Sequence, residues 1–485
     1  MKSPSTEQQI QPTLIYEVYM KFVRKSLLLC SALIVIVGIF APKGGLCITI
    51  QEEEEMSRKV MKIIKTHYEL INDSMIVNYI NEIGHKIVSA LPPQPFDYHF
   101  YVIKNDECNA FATPAGHVFV NSGLLEAMED EEELAGILSH EIAHVVCRHI
   151  SQKIERAQKI GIATLAGIAA GILLGVGGSA EAANALTIGS AAAGQSLELS
   201  YSREDEFQAD QIGLICLTKT GYSGKGLLSM LQKLRSKRWF GPDQIPTYLS
   251  THPGTEERMF NIDTWLEQNK KTNTHIDSYN FERVHTRIVA VYGDKNVALR
   301  KFTSEVKNHP EDLLAQYGYA LILDRTGDRE NAIIHLKKAL GKKAFDPYML
   351  KDFGRIYFFD GQYQESLNIL KSAESVSPDD PEILFYLGRT QMELGRLKEA
   401  AVTFEELIAK KYDYPRAFYS LGETYGKLGR LDEAHYCLGI YYKEKNDFKN
   451  ALFHLKRALD NISDPDKRKK IKEMLKEIRG KKESS

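Results

Sequence analysis

The sequence predicts two successive folds, an α+β domain that is mostly helical with a small sheet, and then an all-α solenoid of helix pairs. Two observations carry this. In the first half, stretches with apolar residues at helical spacing are interrupted by two short β-branched and aromatic runs, 98–103 and 117–120. In the second half Gly293, Gly327, Gly361, Gly395 and Gly429 stand 34 residues apart, and a small residue follows each five positions on: Ala298, Ala332, Ser366, Ala400 and Ala434.

At 485 residues, 43% hydrophobic and 26% charged, the chain can build two or three domains with real cores. A formal net charge of -2 argues against nucleic-acid binding driven by bulk charge. The six cysteines, Cys30, Cys47, Cys108, Cys147, Cys216 and Cys437, form no CxxC pair and no clustered framework, so neither a cysteine zinc site nor a disulfide scaffold is indicated.

Residues 20–47 read as an export signal. Met20 to Lys25 is basic, Ser26 to Ala41 is an uncharged run of 16 residues, short for a spanning helix, and small side chains suit cleavage after Cys47, with retention as an N-terminal anchor the alternative. Residues 1–47 are therefore a signal region whose true start is expected at Met20. The acidic run Glu52 to Glu55 opens a helical stretch carrying Val60, Ile63 and Ile64, and a second carries Ile76, Tyr79, Ile80, Ile83 and Ile87 until Leu91-Pro92-Pro93 breaks it. After the strands, Asn121-Ser122-Gly123 reads as a turn.

Asp130 and Glu133 then form a capping pair ahead of Leu134, Ile137, Leu138, Ile142, Val145 and Val146, which places His140-Glu141-Ile142-Ala143-His144 on a helix. At 3.6 residues per turn, positions 140 and 144 share one stripe, so two imidazoles can bind one ion, with Glu141 beside them as a base toward water. This is the pattern of a zinc site. The long-motif variant needs Gly at 147 and His at 150, but Cys147 and Ile150 stand there, so the third ligand lies elsewhere. The strand at 117–120 is expected at a sheet edge above the metal, where an extended peptide could add through main-chain hydrogen bonds.

Residues 158–195 are rich in Gly and Ala, and Ile160 to Ala180 carry no charge. They suit close helix packing or a mobile hairpin beside the site, acting as a lid or touching membrane. A helix is expected again from Ser202, and within it Glu206 and Asp210 lie four apart. One carboxylate can ligate zinc while the other fixes the tautomer of a ligating histidine. Glu204 competes as ligand, but Gln208, four residues on, lacks the charge for that partner role, which favours Glu206.

Asn109-Ala110-Phe111-Ala112-Thr113-Pro114, Gly123-Leu124-Leu125, Glu133-Leu134-Ala135, the 140–144 motif, Arg148-His149 and Ser202-Arg203…Glu206…Ala209-Asp210 together resemble the zinc peptidases that include the CAAX prenyl protease and HtpX. The closer resemblance is to the soluble periplasmic, BepA-type branch with C-terminal tetratricopeptide repeats, and it covers roughly 50–465. Ala115 departs from it, because a Gly usually stands there. The resemblance implies a gluzincin-like metalloprotease domain at 48–268 with one zinc per chain held by His140, His144 and Glu206, Glu141 as base and Asp210 behind a histidine. It also points to His252 and Arg258. From a His-Pro loop without regular structure, His252 would either take the open zinc position and silence the enzyme or donate to the oxyanion.

The 34-residue period is that of tetratricopeptide repeats. Five are expected from about 279, and Asn446, half a period after Gly429, opens a terminal half-step that ends near 465; the basic tail 466–485 is expected to be a solvated helix that frays. The register lines a concave groove with Tyr348, Lys351, Arg355, Phe358, Phe359, Phe385, Arg389 and Tyr419. The expected function is a periplasmic zinc endopeptidase. The resemblance implies that its groove receives stalled outer-membrane proteins or their assembly machinery, with chaperone activity besides and peripheral membrane contact. The rivals are a scaffold whose protease is latent and an integral membrane protease.

Overall fold

The computed structural model describes residues 48–156, 201–236, 246–269, 278–411 and 414–483. The expected signal region and the Gly/Ala-rich stretch 158–195 lie outside the described residues. The acidic run works as a helix start: in α1 (Ile50–His67) Thr49 and Glu52 cap each other, the Glu52 N–H donating to Thr49 Oγ1 at 3.2 Å and the Thr49 N–H to Glu52 Oε2 at 2.8 Å. The chain continues through β1 (Leu70–Ile71), α2 (Ser74–Val88), β2 (His99–Ile103), β3 (Ala110–Thr113) and β4 (His117–Asn121).

The sheet order is β1-β2-β4-β3, with β2 parallel and β3 antiparallel to β4. The strand expected at the edge is therefore central, and the edges belong to β1 and β3. Ala-Phe-Ala-Thr is short, without polar alternation, and buried throughout, so its sequence carries no strand period. Nor is Asn121-Ser122-Gly123 a turn: the chain passes from β4 straight into α3 (Ser122–Ala127), where a Cβ on Gly123 would sit 2.1 Å from the Asp106 carbonyl oxygen. Between β3 and β4 the turn is kept despite the alanine, with Ala115 in the left-handed region at φ 63°.

Next come α4 (Glu131–Val146), α5 (His149–Arg156), α6 (Arg203–Thr220), α7 (Lys225–Arg235), α8 (Thr247–Thr251) and α9 (Thr255–Gln268). Asp130 caps α4 by accepting from the Glu133 N–H at 2.9 Å. Glu133 reaches back one residue further than a capping pair would, to the Glu129 N–H at 2.7 Å, and its carboxylate takes Lys233 and Ser229 of α7 at 2.7 and 2.6 Å.

The second half is α10 (Ser278–Arg287), a π-turn at Ile288–Tyr292, and then α11 (Lys295–Asn308), α12 (Leu313–Thr326), α13 (Arg329–Lys342), α14 (Pro347–Phe359), α15 (Tyr363–Val376), α16 (Pro381–Glu393), α17 (Leu397–Lys410), α18 (Pro415–Lys427), α19 (Leu431–Glu444), α20 (Phe448–Asn461) and α21 (Pro465–Glu483). Gly327, Gly361, Gly395 and Gly429 turn the pairs at left-handed φ of 94°, 79°, 71° and 76°, and Asn446 does so at 58°. Gly293, after the π-turn, has φ -69° instead. The tail does not fray free: Ile471, Leu475 and Ile478 of α21 are buried with Ala451, Leu455 and Ala458 of α20.

Part of the expected groove is occupied by the chain itself. Lys351 is 1% exposed, and its Nζ donates to Ser74 Oγ at 2.8 Å and Glu382 at 2.9 Å. Arg355 pairs with Asp324 at 2.9 Å, and Phe358 and Phe385 are core. Phe359 and Tyr419 remain exposed. Beside Lys351, Asp73 caps α2 and also takes Arg287 Nε at 2.5 Å, while Arg287 bonds Asp352 and the Tyr317 hydroxyl. Helical spacing along one element could not foresee this, because the partners lie in the other domain.

Burial works against charge on Asp73 and Asp352, but Arg287 outweighs it and holds both carboxyls below their ordinary range. Arg287→Leu strands two buried carboxylates and is expected to cost about 3–5 kcal/mol in urea denaturation at pH 7. Carboxyls with depressed values stabilise above their unfolded pKa of about 4 and lose that contribution as pH falls through the native value, so the gap to wild type narrows below about pH 4. A gap unchanged from pH 7 to 3 contradicts the assignment.

Candidate metal centre

Two helices and one helix end bring the site together. α4 carries His140 and His144 one turn apart, and α6 lies against it closely enough that a Cβ on Gly213 would be 3.2 Å from Ser139 Oγ. This approach sets Glu206 and Asp210, one turn apart on α6, against the histidines. His252 is not on an irregular loop: it ends α8, its N–H donates to the Tyr248 carbonyl at 2.9 Å, and its ring stacks on Tyr248 with centroids 4.3 Å apart.

His140, His144, Glu206 and His252 are buried, and one donor atom from each lies within 4.8 Å of all the others. His140 Nε2 is 3.0 Å from His144 Nε2, 3.3 Å from His252 Nδ1 and 3.3 Å from Glu206 Oε2. Glu206 Oε1 is 3.0 Å from His252 Nδ1 and 3.5 Å from His144 Nε2. Four donors bonded at about 2.0–2.1 Å around a tetrahedral ion stand about 3.3 Å apart, so the spacing and the N/O donor set fit zinc.

One guanidinium serves both Glu206 and Asp210 of α6. Asp210 Oδ1 lies 2.8 Å from His140 Nδ1. The Arg258 guanidinium, on α9, donates from Nε and Nη2 to Asp210 at 2.8 Å each, and its Nη1 is 2.6 Å from Glu206 Oε2. Burial opposes ionisation of Glu206 and Asp210, but Arg258 foremost overrides it and holds both well inside the ionised range. Burial and Arg258 both disfavour protonated His140, yet the Asp210 and Glu206 hydrogen bonds outweigh them and raise it to about 9. Burial and the neighbouring His140 push His144 far down.

Glu141 is fully buried, and neither of its oxygens has a hydrogen-bond partner among the described residues. The His252 ring stands beside it, with Nε2 3.6 Å from Oε1. Burial raises its proton affinity, and His252 and His140 offset this only in part. A carboxylate without a partner in a dry pocket beside a metal-type donor set is poised to take a proton.

The sequence-predicted residues His140, Glu141, His144, Glu206, Asp210, His252 and Arg258 thus meet at one place. Sequence reasoning assigned no part to Tyr201, whose ring stacks on His144 at 3.8 Å, to Tyr248, or to His149, whose Nδ1 is 2.8 Å from His144 Nδ1. None stands at a spacing from the motif that signals a site. A narrow cleft lined by Ala112 and Thr113 of β3 together with Ala115, Arg148 and Ser151 reaches His144, which sets that edge strand beside the donors.

The model of Peptidase family M48 matches residues 77–266, and tetratricopeptide-repeat models match 293–347 and 359–421. Relatives include the beta-barrel assembly-enhancing protease of Yersinia pestis, 28% identical over 68% of this chain and 66% of that one. That of Escherichia coli (strain K12) is 28% identical over 67% of this chain and 74% of its own. The mitochondrial metalloendopeptidase OMA1 of Schizosaccharomyces pombe is 24% identical over 48% and 66%.

Arg258→Leu leaves Glu206 and Asp210 buried without their counter-charge, and should lower the stability of metal-free protein by about 3–5 kcal/mol. Scanning calorimetry with and without added Zn2+ reads it, and the ion should recover part of the loss, because it replaces positive charge at Glu206. An unchanged melting temperature in the metal-free variant contradicts the charge balance described.

Proposed function

We propose, from the match of residues 77–266 to the model of Peptidase family M48, that the chain is a zinc-dependent endopeptidase that His252 holds latent. The observation that carries this reading is the convergence of His140, His144 and Glu206 beside a buried, unpartnered Glu141. Zinc bound there would supply Lewis acidity toward a scissile carbonyl and an attacking water. Glu141 takes the water's proton on a carboxylate oxygen and returns it to the leaving amine nitrogen, and the burial that raises its proton affinity suits it to hold that proton between the two events. Asp210 fixes His140 with its proton on Nδ1 so that Nε2 is free to ligate, and Arg258 balances the charge of Asp210 and Glu206. An extended substrate would add along β3 once the cleft beside His144, which as it stands has room for about one water, opens.

Latency rests on the count of donors. Catalytic zinc sites keep one position open, whereas His252 Nδ1 stands 3.0 Å from Glu206 Oε1 and 3.3 Å from His140 Nε2, where it closes the set. A second reading keeps His252 in the reaction: its Nε2, 3.6 Å from Glu141, would donate to the oxyanion once the ring moves.

The relatives named beta-barrel assembly-enhancing protease support a client class of outer-membrane β-barrel proteins and their assembly machinery, met in the periplasm and held by the tetratricopeptide repeats. Phe359 and Tyr419 are the groove aromatics left free for them, and holding without cleavage would be chaperone activity. Among the described residues no helix is long and apolar enough to cross a membrane; the stretches 26–41 and 160–178 that the integral-membrane rival would use lie outside them.

Casein digestion by wild type, Glu141→Gln and His252→Ala tests the reading. If the open state is populated at about a tenth or less, His252→Ala cleaves about tenfold faster than wild type or more. Glu141→Gln is inactive, and chelation abolishes the activity of His252→Ala until Zn2+ is returned. Cleavage by His252→Ala no faster than by Glu141→Gln would remove the peptidase proposal, and a rate equal to wild type would remove the latency.

A further inference from the structure

The two helical histidines of the site are backed by unlike groups. His140 Nδ1 faces the Asp210 carboxylate at 2.8 Å, whereas His144 Nδ1 faces another imidazole, His149 Nδ1, also at 2.8 Å. An imidazole that offers Nε2 to a metal carries its proton on Nδ1. For His144 that proton points at His149 Nδ1, which can only accept it, so His149 must carry its own proton on Nε2. There Gln208 Oε1 lies at 3.4 Å, with Asp205 Oδ1 at 3.8 Å. We propose that His149 is a positioning residue for the metal site, a neutral acceptor that sets the tautomer and ring plane of His144. The proposal rests on the zinc reading above.

The backbone is built to put His149 there. Five residues along an unbroken helix are about 140° around the axis, so a continuous α4 would point position 149 away from His144. Instead the chain reverses at Arg148, which is held in the left-handed region at φ 53°, costly for a residue with a long side chain. What holds it are bonds to the first helix and to the segment just before its cap: Arg148 Nε donates to Glu53 at 2.6 Å and Nη2 to the Ile48 carbonyl at 2.5 Å. Glu53 is itself 1% exposed. With that turn in place His149 opens α5 and folds back onto His144, and Tyr201 stacks on the same ring at 3.8 Å. The His144 ring is thus clamped by His149 at its edge and by Tyr201 on its face.

The choice of imidazole over carboxylate follows from the charge already present. Glu141, Glu206 and Asp210 are buried around the donors with one guanidinium, Arg258, so a fourth carboxylate behind His144 would have no counter-charge among the described residues. A neutral acceptor gives the same hydrogen bond without that cost. Gln208 then has a place too: it lacks the charge to back a metal ligand itself, but as an amide oxygen it accepts from His149 and continues the relay.

The test uses full-length zinc-loaded protein with 15N-labelled histidine. Long-range 1H–15N correlation spectra of wild type should show His149 protonated on Nε2 alone and His144 protonated on Nδ1; a His149 protonated on Nδ1 overturns the proposal without any variant. Zn2+ affinity by chelator competition then separates roles. His149→Phe keeps a ring without an acceptor and should bind Zn2+ about 10–100-fold more weakly, while His149→Asn, which keeps an oxygen near Nδ1, should stay within about threefold of wild type, with apo melting temperatures alike. Equal affinity of His149→Phe and wild type, or equal weakening of both variants, overturns the proposal while leaving the zinc reading intact. Wild type that takes up no Zn2+ would instead remove the reading on which it rests.

Discussion

The interaction on which the rest depends is the Arg258 guanidinium against Asp210 and Glu206. Two carboxylates and three imidazoles cannot be packed in a dry interior unless their charges are met, and removing one partner of such a group is far costlier than the pair is stabilising. Arg258 makes two 2.8 Å bonds to Asp210, and Asp210 in turn faces His140 at 2.8 Å. The same guanidinium reaches Glu206 at 2.6 Å. α9 is therefore as much a part of the site as the two helices that carry the metal-type donors, although it contributes none.

A second constraint joins the halves of the molecule. Asp73 and Ser74 begin α2, and both bond to side chains of the repeats, Arg287 and Lys351. α2 also lies against α4, where the Tyr79 hydroxyl meets Glu131 at 2.6 Å and Tyr222, in the turn after α6, meets it at 2.8 Å. The repeat array thus rests on an element that touches the start of the helix bearing His140 and His144. A groove that part of its own chain fills is also narrower than its register implies. Lys351 and Arg355 are spent on internal pairs, and the free aromatic surface comes down to residues such as Phe359 and Tyr419.

Much of the site was legible because helices write their faces into the sequence at fixed spacing. Positions 140 and 144, and 206 and 210, each lie one turn apart, and the glycine period marked the repeats in the same way. What escaped is what depends on contacts between distant segments. β3 is four buried residues with no alternation, so the edge strand was assigned to β4, which is central. His252 was expected on an irregular loop, whereas five residues suffice for a short helix that holds it in place. His149 was visible only as part of a resembling motif, because its use depends on a left-handed Arg148 that no local pattern predicts. The tail was expected to be solvated because its lysines outnumber its apolar residues, yet three apolar positions at helical spacing are enough to seat it on α20.

One zinc ion is expected among His140, His144, Glu206 and His252 in the resting protein. Zinc-edge X-ray absorption on wild type and on His252→Ala tests it most directly. Wild type should show a shell of three imidazole nitrogens and one carboxylate, and His252→Ala one imidazole exchanged for a solvent oxygen. A wild-type shell with only two imidazoles, or one that His252→Ala leaves unchanged, would contradict it.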